Sequence, residues 1–503
     1  MHLLYGKWVC RLTETWAEAA TPPHLWGALP GNSPARRGWA PRPGVGTLAA
    51  MTELASIHTP AQAGIAPIEP HHGGYDEARR AWNLHADLTP AAVVTATSAA
   101  EVQVAVRYAA DRGLRVVPFT TGHLATALPD VSDALLLRTE LTAAVEVDPV
   151  ARIARVPAGA VWEDVVAAVA PHGLSVMHGS SPDVGVVGYL VGGGLSFYSR
   201  HHGLASNHVV AVEVVTADGE LRRATAIEHP DLFWALRGGG GNFGVVTAIE
   251  IELLPYATVF AGAAFWPIAD AATVLHAWHR WTLTAPTTVT TSFRFLRLPP
   301  IPEVPEPLRG VPVVCVDGVA VDEADGAAML ARLRGAAAPM IDTFATVPAD
   351  GVLRMHGDPE QPTPGIGDHR LLGELDEQGL AALVAIAGDG ADCPLLIVEL
   401  RQLGGALAAP PAHAGVRGHL EGRFAFFAIG VPMVPELEQP IFATLHALAT
   451  VLEPFDTGRR YLNFDERGGS ARRSFDPRSY EQLVEVRATF DPDRRFVASH
   501  EVA

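Results

Sequence analysis

The fold of this chain can be inferred from residues 178–205, which read HGSSPDVGVVGYLVGGGLSFYSRHHGLA. Glycines crowd into this stretch directly after two small hydroxyl side chains. The residues concerned are Ser180, Ser181, Gly185, Gly188, Gly192, Gly193 and Gly194. A backbone without side chains lets a flat or anionic ligand approach closely, and its free N–H groups can bind an anion. The stretch therefore predicts a ligand-binding loop, with a turn that serves packing alone as the alternative.

A second glycine run, RGGGGNFGVV at residues 237–246, contains the spacing GxGxxG at Gly239, Gly241 and Gly244. A dinucleotide-binding fingerprint requires a strand before the glycines and a helix after them, so that the pyrophosphate meets the helix N-terminus. Here the order is reversed, because the helix-like PDLFWALR precedes the run and the β-branched VVTAIEIEL follows it. This context excludes a Rossmann-type site.

The residues around these two runs alternate between short strands and helices. Residues 92–119 predict a strand, a helix and a strand, and Ser98 with Glu101 forms a capping box at the start of the helix. Further strands are predicted at 134–139, 143–148, 152–159 and 245–255, a hairpin with an Asp-Gly turn at 208–221, and helices at 161–174 and 230–237. This pattern indicates one α+β unit that ends near Pro255.

Beyond Pro255 the sequence pattern changes and predicts longer helices and apolar strands. Helices are predicted at 270–282 and 322–335, and strands at 311–321, 394–405 and 423–433. This favours a second α+β domain with helices on one face of a sheet. Two proline-rich loops, 297–310 and 355–369, are predicted either to line a cleft or to form surface turns. Aromatic side chains in this domain could contact a substrate: Trp266, Trp278, Trp281 and Phe295.

Composition and charge limit the possible functions. The chain has 503 residues, of which 48% are hydrophobic and 18% charged, as expected for a folded protein. A formal charge of −18 argues against nucleic acid or an anionic membrane as a partner. No apolar run approaches the roughly 18 residues that a membrane-spanning helix needs. We therefore expect a soluble protein that acts on a small molecule, whose oligomeric state the sequence leaves open.

The cysteines and the N-terminus add two further expectations. Cys10, Cys315 and Cys393 are too widely spaced for a zinc site and too few for a disulfide framework, which favours a reducing, cytoplasmic compartment. Residues 1–50 are broken by proline and glycine clusters. We interpret them as a disordered or non-native extension, with Met51 as an alternative start.

Several motifs occur in a recognisable order along residues 70–500. They are TTGH (120–123), RIARVPAGAVWEDV (152–165), HGSSPDVGVVGYLVGGG (178–194), NHVVAVEVVTADG (207–219), PDLFWALRGGGGNFGVVT (230–247), YLNF (461–464) and FDPDRRF (490–496). Together they resemble the berberine-bridge-enzyme-like FAD-linked oxidoreductases of bacterial type, which have the vanillyl-alcohol-oxidase or PCMH-type FAD-binding fold. The resemblance implies an α+β protein with a two-subdomain FAD-binding domain at 70–256. It also implies a substrate domain at 257–452, whose antiparallel sheet is covered by helices, and a segment at 453–503 that returns to the FAD domain.

The resemblance implies that FAD is the cofactor and that His123 bonds covalently to its 8α carbon. A neutral imidazole is nucleophilic, so such a bond is chemically reasonable. Many relatives have a second bond from a cysteine, but Ser181 stands at that position and serine is a poor nucleophile, so we expect a single bond. Further cofactor contacts are implied for Thr120, Thr121, Gly122, Ser180, Gly185, Gly188, Tyr189, Gly192, Gly193, Gly194, Gly244 and Val246. No metal site is expected.

The resemblance also implies the reaction. A hydride leaves a carbon that bears OH or NH and reaches flavin N5, while a base takes the proton. The substrate would be an alcohol, a sugar or a specialised metabolite, and oxygen the electron acceptor. A dehydrogenase with poor oxygen reactivity and a non-catalytic flavin-binding protein are the alternatives.

Tyr461 is the predicted base and Asn463 the residue that orients substrate or flavin, both by resemblance to a Y-x-N motif. A phenol needs a nearby cation to lower its pKa, and the sequence offers Arg401, Arg459 and Arg460. The strand RFAFFAIG at 423–430 offers no carboxylate that could act instead. Four other histidines are predicted to be solvated or to serve packing: His178, His201, His202 and His356.

Overall fold

The computed structural model describes residues 64–302 and 304–503. The extension predicted at 1–50 lies outside the described residues, and the prediction about it stays untested.

The first unit begins with a small parallel sheet. Its elements are α1 (Tyr75–Ala78), β1 (Ala92–Ala96), α2 (Ala99–Asp111), β2 (Arg115–Phe119) and β3 (Ala134–Thr139). The strand order is β1–β3–β2. Helix α2 packs on this sheet through an apolar stripe that includes Val102 and Val106. Ser98 Oγ accepts the N–H of Glu101, so the predicted N-terminal cap is confirmed.

An antiparallel sheet of five strands follows. Its elements are β4 (Glu146–Asp148), β5 (Ile153–Pro157), α3 (Trp162–Val169), α4 (Val186–Val191), α5 (Ser199–His202), β6 (Val209–Val215), β7 (Leu221–Ala224), α6 (Pro230–Leu236) and β8 (Val245–Glu252). The strand order is β4–β5–β8–β6–β7, and β6 and β7 form the predicted hairpin. Helix α4 begins after Gly185 and ends before Gly192. The glycines of the first run therefore flank one short helix.

The second unit is built on an antiparallel sheet of eight strands. Its elements are β9 (Thr258–Pro267), α7 (Ala271–Thr282), β10 (Val289–Arg297), β11 (Pro312–Ala320), α8 (Glu323–Ala336), β12 (Ile341–Asp342), β13 (Ala345–Pro348), β14 (Ile366–Leu372), α9 (Glu377–Ala387), β15 (Ile397–Gln402), β16 (Phe424–Gly430) and α10 (Glu438–Leu452). The order is β12–β9–β11–β10–β15–β16–β14, and β13 also pairs with β9.

The two faces of this large sheet differ in chemistry because side chains alternate along each strand. Phe293 and Leu400 are opposite each other in the β10–β15 register and belong to the apolar core under the helices. Arg294 and Glu399, the next pair in that register, lie on the other face. This second face carries charged side chains and turns toward the first unit.

The end of the chain returns to the first sheet. Its elements are β17 (Gly469–Ser470), α11 (Pro477–Phe490) and β18 (His500–Glu501). The Val116 N–H on edge strand β2 donates to Arg495 O (2.8 Å), and the Val497 N–H donates to Val116 O (2.8 Å). Asn242 Nδ2, in the second glycine run, donates to His500 O (3.0 Å). These bonds place residues 497–500 beside the glycine runs.

The α+β class, the hairpin and the helix-covered antiparallel sheet are confirmed. The exact domain limits, at 70–256, 257–452 and 453–503, stay predictions. Among the described residues, no helix combines the length and the apolar character that crossing a bilayer requires.

Candidate active site

A cavity of about 460 Å³ lies where the first glycine run meets the charged face of the large sheet. All predicted site residues except Gly193 and Gly194 line it: Thr120, Thr121, Gly122, His123, Ser180, Ser181, Gly185, Gly188, Tyr189, Gly192, Gly244, Val246, Tyr461 and Asn463. Gly194 lies behind this wall with φ 73°, and a Cβ there would come within 2.5 Å of the Tyr189 ring. Gly193 and Gly194 thus permit close packing behind the wall rather than lining it.

The part of the first glycine run that lines the cavity, Gly185 to Gly192, is called the glycine wall below. Two of its glycines differ in what surrounds them. A Cβ added at Gly188 would meet nothing within 4 Å, so the backbone there faces open cavity. A Cβ added at Gly192 would come within 1.5 Å of Asn463 Oδ1. Gly188 therefore leaves room for a ligand, whereas Gly192 leaves room for a protein side chain.

His123 lies in the turn that follows β2. Its Nδ1 is 2.8 Å from Thr121 Oγ1, and its ring stacks on Trp82 with centroids 4.2 Å apart and planes 18° apart. The Trp82 N–H donates to Thr121 O (2.9 Å), which fixes the turn against the preceding segment. Gly122 adopts φ 85°, where a Cβ would collide with the Phe119 ring. The turn is thus held rigidly with the imidazole at the cavity.

Asp183, which the sequence analysis did not single out, lies beside His123. Its Oδ2 accepts Trp82 Nε1–H (2.5 Å), and its Oδ1 accepts the Ser181 hydroxyl (2.7 Å). Oδ1 is also 3.7 Å from His123 Nε2. Burial alone would raise the pKa of Asp183, but His123, Ser181 and Trp82 outweigh it and lower the pKa. A carboxylate is therefore held next to the imidazole.

Tyr461 and Asn463 lie at the other end of the glycine wall. Asn463 Nδ2 donates to Tyr189 O (2.9 Å) and to Tyr461 Oη (3.1 Å). Burial raises the pKa of Tyr461, although the Arg417 and Arg401 guanidinium groups and the Asn463 donor oppose the shift. The phenol is therefore protonated at neutral pH.

The predicted cations beside Tyr461 need a correction. Arg460 pairs with Asp456 (3.0 Å), and Arg459 donates to Phe475 O (2.5 Å), so both guanidinium groups are engaged elsewhere. Arg417, which the sequence analysis passed over, is the guanidinium that most strongly opposes the raised pKa of Tyr461. Of the three arginines predicted, only Arg401 contributes to that effect.

The opposite wall is the charged face of the large sheet. Asp317 on β11 is fully buried and accepts hydrogen bonds from Ser292 Oγ, Arg294 Nη2 and, at 2.7 Å, His356 Nδ1. Burial alone would raise the pKa of Asp317, but the Arg294 charge and the hydrogen bond from His356 outweigh it and hold this pKa well below its usual range. These side chains form a paired, preorganised charge cluster.

The cluster continues to the glycine wall through Arg401. Arg401 Nη2 donates to His356 Nε2 (3.1 Å), and Arg401 Nε donates to Glu399 Oε1 (2.7 Å). Arg401 Nη2 also approaches Ser180 Oγ (3.4 Å), whose hydroxyl donates to Asp358 Oδ2 (2.7 Å). A polar chain therefore connects the two walls.

One expectation is wrong at this wall, and the sequence analysis did not identify one of its carboxylates. His356 was expected to be solvated or to serve packing, but it is 3% exposed and lines the cavity. Residues 423–430 carry no carboxylate, as the sequence analysis states, but Glu399 on the neighbouring strand β15 lines the cavity with 1% exposure. Arg401 and Glu399 alternate along β15, so their period of two was the sequence signal for a shared face.

The rest of the cavity is mostly apolar. Ile397 on β15 and Phe427, Ile429 and Val431 on or next to β16 complete the sheet wall. The proline-rich loop 355–369 contributes lining residues, as one of its two predicted roles requires. The aromatic residues expected to contact substrate are instead packed in the core under the helices: Trp266, Trp278, Trp281 and Phe295.

Glu466 is a further carboxyl group at the cavity. Burial raises the pKa of Glu466 to about 7, the nearby charges of Asp368 and Asp465 add to the shift, and the hydrogen bond from Gly367 N–H (2.9 Å) opposes it. Glu466 therefore changes its charge near neutral pH.

The wall fits a flat, anionic dinucleotide such as FAD. The backbone at Gly188 is open toward the cavity, and the buried Tyr189 hydroxyl has no hydrogen-bond partner among the described residues. A buried polar group without a partner is costly unless a ligand satisfies it. The site therefore fits FAD, the cofactor that the motifs imply. It offers open backbone at Gly188, the free hydroxyl of Tyr189 and the stacked ring of His123.

Comparison with known proteins agrees with this interpretation. A family model described as FAD binding domain matches residues 90–225. (R)-6-Hydroxynicotine oxidase of Paenarthrobacter nicotinovorans is 26% identical over 443 residues, which cover 85% of this chain and 94% of that protein.

Two solved structures share the fold. Physcomitrella patens BBE-like 1 aligns with a TM-score of 0.75 and 19% identity over 88% of this chain and 98% of that chain. Glucooligosaccharide oxidase from Acremonium strictum aligns with a TM-score of 0.70 and 19% identity over 87% of this chain and 96% of that chain.

The fold and the family model together define a flavoprotein with a PCMH-type FAD-binding domain. The chain is an FAD-linked oxidoreductase, and it shares its fold with the berberine-bridge-enzyme-like protein of Physcomitrella patens. The cofactor and the enzyme class that the motifs implied are thereby confirmed.

Proposed function

We propose that this oxidoreductase removes a hydride from a C–OH or C–NH carbon of a compact organic substrate and passes the electrons to dioxygen. The observation that carries this proposal is the cavity that joins an open glycine wall to a buried charge cluster. Bound FAD would supply the hydride acceptor at its N5. The protein would supply position, proton transfer and the exclusion of water.

Covalent attachment of FAD through His123 is part of the proposal. The glucooligosaccharide oxidase is described as carrying 6-S-cysteinyl, 8α-N1-histidyl FAD. In this chain the imidazole lines the cavity, whereas the position implied for the cysteine holds Ser181, whose hydroxyl is bonded to Asp183. We therefore propose one covalent bond, from the histidine alone.

The charged wall indicates the substrate class. Glu399, Arg401 and His356 can bind a hydroxyl or amine, while Phe427 and Ile429 contact an apolar part of the molecule. A small heterocyclic or alicyclic amine or alcohol has both the polar group and the apolar part that these side chains would bind. The hydroxynicotine oxidase that this chain resembles along most of its length acts, by its name, on such a compound.

Tyr461 is the proposed proton acceptor, with Asn463 as the residue that orients its hydroxyl. Because burial raises the pKa of Tyr461, only a small fraction of the phenol is ionised at pH 7. The rate of flavin reduction should therefore rise by about tenfold per pH unit through the neutral and alkaline range. Tyr461→Phe should remove that rise and slow reduction by about 100-fold or more at pH 9.

Anaerobic stopped-flow reduction measures both effects. Tyr198→Phe is the matched control, since Tyr198 is an equally buried phenol that does not line the cavity, and its rate should equal that of the unmodified protein. An unchanged rate and pH profile in Tyr461→Phe would remove Tyr461 from the mechanism.

A substrate screen tests the function itself. The full chain would be offered secondary amines and alcohols, including 6-hydroxynicotine and xylo-oligosaccharides, while peroxide is measured. We expect peroxide with a compact amine or alcohol, and anaerobic bleaching that reverses rapidly in air. Bleaching that reverses slowly and yields no peroxide would instead indicate a dehydrogenase.

A further inference from the structure

We propose that Asp183 is a positioning residue that holds His123 in the tautomer whose Nδ1 bonds FAD, and that Trp82 and Ser181 hold Asp183 for this purpose. The inference rests on the covalent attachment proposed above. It assigns a role to three side chains around His123 that the TTGH motif at 120–123 does not include.

The first observation is the geometry of the carboxylate. Asp183 receives two hydrogen bonds, from Trp82 Nε1–H (2.5 Å) and from the Ser181 hydroxyl (2.7 Å). Its remaining direction points at His123 Nε2, 3.7 Å away. Trp82 both bonds the carboxylate and stacks on the imidazole, so one side chain fixes the relative placement of the two groups.

The second observation distinguishes the two nitrogens of the ring. His123 Nε2 has essentially no solvent-accessible surface and no hydrogen-bond partner among the described residues. A ligand in the cavity therefore cannot reach Nε2 unless the ring moves. Nδ1 lies 2.8 Å from Thr121 Oγ1, a hydroxyl that can donate to a lone pair. Because Nε2 is the buried nitrogen that faces the carboxylate, we assign the reacting lone pair to Nδ1.

Electrostatics connects the two observations. The ionised Asp183 is an acceptor, so it favours the proton on Nε2 and leaves the lone pair on Nδ1. At 3.7 Å the carboxylate acts on Nε2 through its charge rather than through a hydrogen bond, and this charge favours the tautomer with the proton on Nε2. The carboxylate also stabilises the positive charge that the imidazole gains when Nδ1 forms a bond while Nε2 keeps its proton.

The covalent step balances with the oxidant already proposed. A C–H bond of the 8α-methyl group breaks and its proton leaves, the bond from Nδ1 to that carbon forms, and the imidazole then loses the Nε2 proton. The electron pair remains in the isoalloxazine ring, and dioxygen removes it as peroxide. Asp183 neither gains nor loses atoms in this sequence, which is why we term it a positioning residue.

Ser181 acquires a defined role in this arrangement. Its hydroxyl occupies the place that a second covalent bond would use, but it donates to Asp183 instead. Replacement by cysteine would exchange a good hydrogen-bond donor for a weak one. Ser181→Cys should therefore slow attachment at His123 even if the new thiol bonds flavin itself.

Covalent flavin content tests the inference without a substrate. The full chain and its variants would be depleted of flavin and mixed with FAD. The flavin that stays with the acid-precipitated polypeptide is then followed over time by fluorescence, and total FAD binding is titrated separately. We expect Asp183→Asn to slow covalent attachment by at least about tenfold, as loss of a charge-assisted contact predicts, while the Kd for FAD changes by less than about threefold.

Three further variants complete the experiment. His123→Ala gives the zero level of covalent flavin, and Asp148→Asn, an exposed carboxylate on β4 bonded only to backbone, should behave as the unmodified chain. Trp82→Phe keeps an aromatic ring for stacking but removes the donor, and it should slow attachment by an intermediate factor. If Asp183→Asn does not fold, the rate of covalent attachment in Trp82→Phe tests the proposed role of Asp183 instead.

The outcomes separate the two proposals. If the unmodified chain binds FAD but releases all of it in acid, covalent attachment fails and the inference fails with it, although the oxidase activity can stand. If the unmodified chain attaches flavin and Asp183→Asn attaches it at the same rate, only the role of Asp183 is overturned. NMR of the flavin peptide adds a second criterion, because attachment at Nε2 in the unmodified chain would also overturn the assignment.

Discussion

The two walls of the cavity are built in opposite ways. The glycine wall presents backbone, and its contacts to a ligand come from N–H groups and from space that a side chain would otherwise fill. The sheet wall presents charged side chains, and Arg294 and Asp317 are already paired at 3% and 0% exposure. One wall therefore contacts an anionic cofactor mainly through its backbone, while the other holds charged side chains in place before any substrate arrives.

Because they are built differently, the two walls are sensitive to different kinds of substitution. A backbone wall is sensitive to added volume, because any Cβ enters space that a ligand or a neighbour occupies. A charged wall is sensitive to a lost partner, because the remaining charge is left buried and unpaired. Substitutions in each wall and at the carboxyl group between them test this contrast.

The largest effect is expected for Asp317→Asn in the sheet wall. This substitution would leave the Arg294 guanidinium without its counter-charge in a buried site, which should cost about 3 to 5 kcal/mol of unfolding free energy. Denaturant unfolding of the full chain measures this loss. Asp342→Asn removes the carboxylate of β12 that pairs with Arg334 on α8, whose side chain is 52% exposed, and should cost no more than about 1 kcal/mol. Equal losses in the two variants would show that the charge cluster is not a stability element.

The same contrast explains what the sequence could predict. The glycine wall comes from contiguous residues, so the motif at 178–194 and the turn at 120–123 identify it from the order of residues alone. The sheet wall comes from Arg294, Asp317 and Glu399, which meet only through the pairing of β10 with β11 and β15. His356 joins them from the loop before β14. Strands could be predicted individually, but a register shift of one residue would move Glu399 into the core.

The role of Asp183 could not be predicted from the sequence either, because it depends on a contact between distant residues. It stands inside the quoted motif, yet its role depends on Trp82, 101 residues earlier in the chain. No local pattern specifies that contact. The correction at Tyr461 has the same origin, because Arg417 reaches the phenol from another loop, whereas the neighbouring Arg459 and Arg460 turn away from it.

An intermediate effect is expected in the glycine wall. Gly192→Ala would place a Cβ within 1.5 Å of Asn463 Oδ1, so Asn463 must move and release Tyr461. Overpacking of this kind costs about 1 to 3 kcal/mol, and flavin reduction should slow as well. Gly188→Ala is the matched variant: its Cβ meets no protein atom within 4 Å, so the flavin-free chain should keep its stability while its affinity for FAD falls. Thermal unfolding with and without FAD distinguishes the two variants. A loss of stability in flavin-free Gly188→Ala would contradict the conclusion that the backbone at Gly188 faces open cavity.

The smallest effect is expected for Glu466→Gln, and its sign depends on pH. The ordinary pKa of 4.5 applies to the unfolded chain, whereas burial raises the pKa of Glu466 to about 7 in the fold. Between these values the folded chain binds a proton that the unfolded chain has lost, so stability falls as pH rises from about 4.5 to about 7 and is constant above that. A shift of this size corresponds to at most about 3 kcal/mol, and contact with the cavity should reduce it to about 1 to 2 kcal/mol. A glutamine side chain cannot ionise. The difference between the unfolding free energies at pH 5 and at pH 8 should therefore be smaller in Glu466→Gln than in the unmodified chain by about 1 to 2 kcal/mol. The opposite slope would mean that Glu466 is ionised in the fold, and the region between the two walls would then hold a further permanent charge rather than a neutral acid.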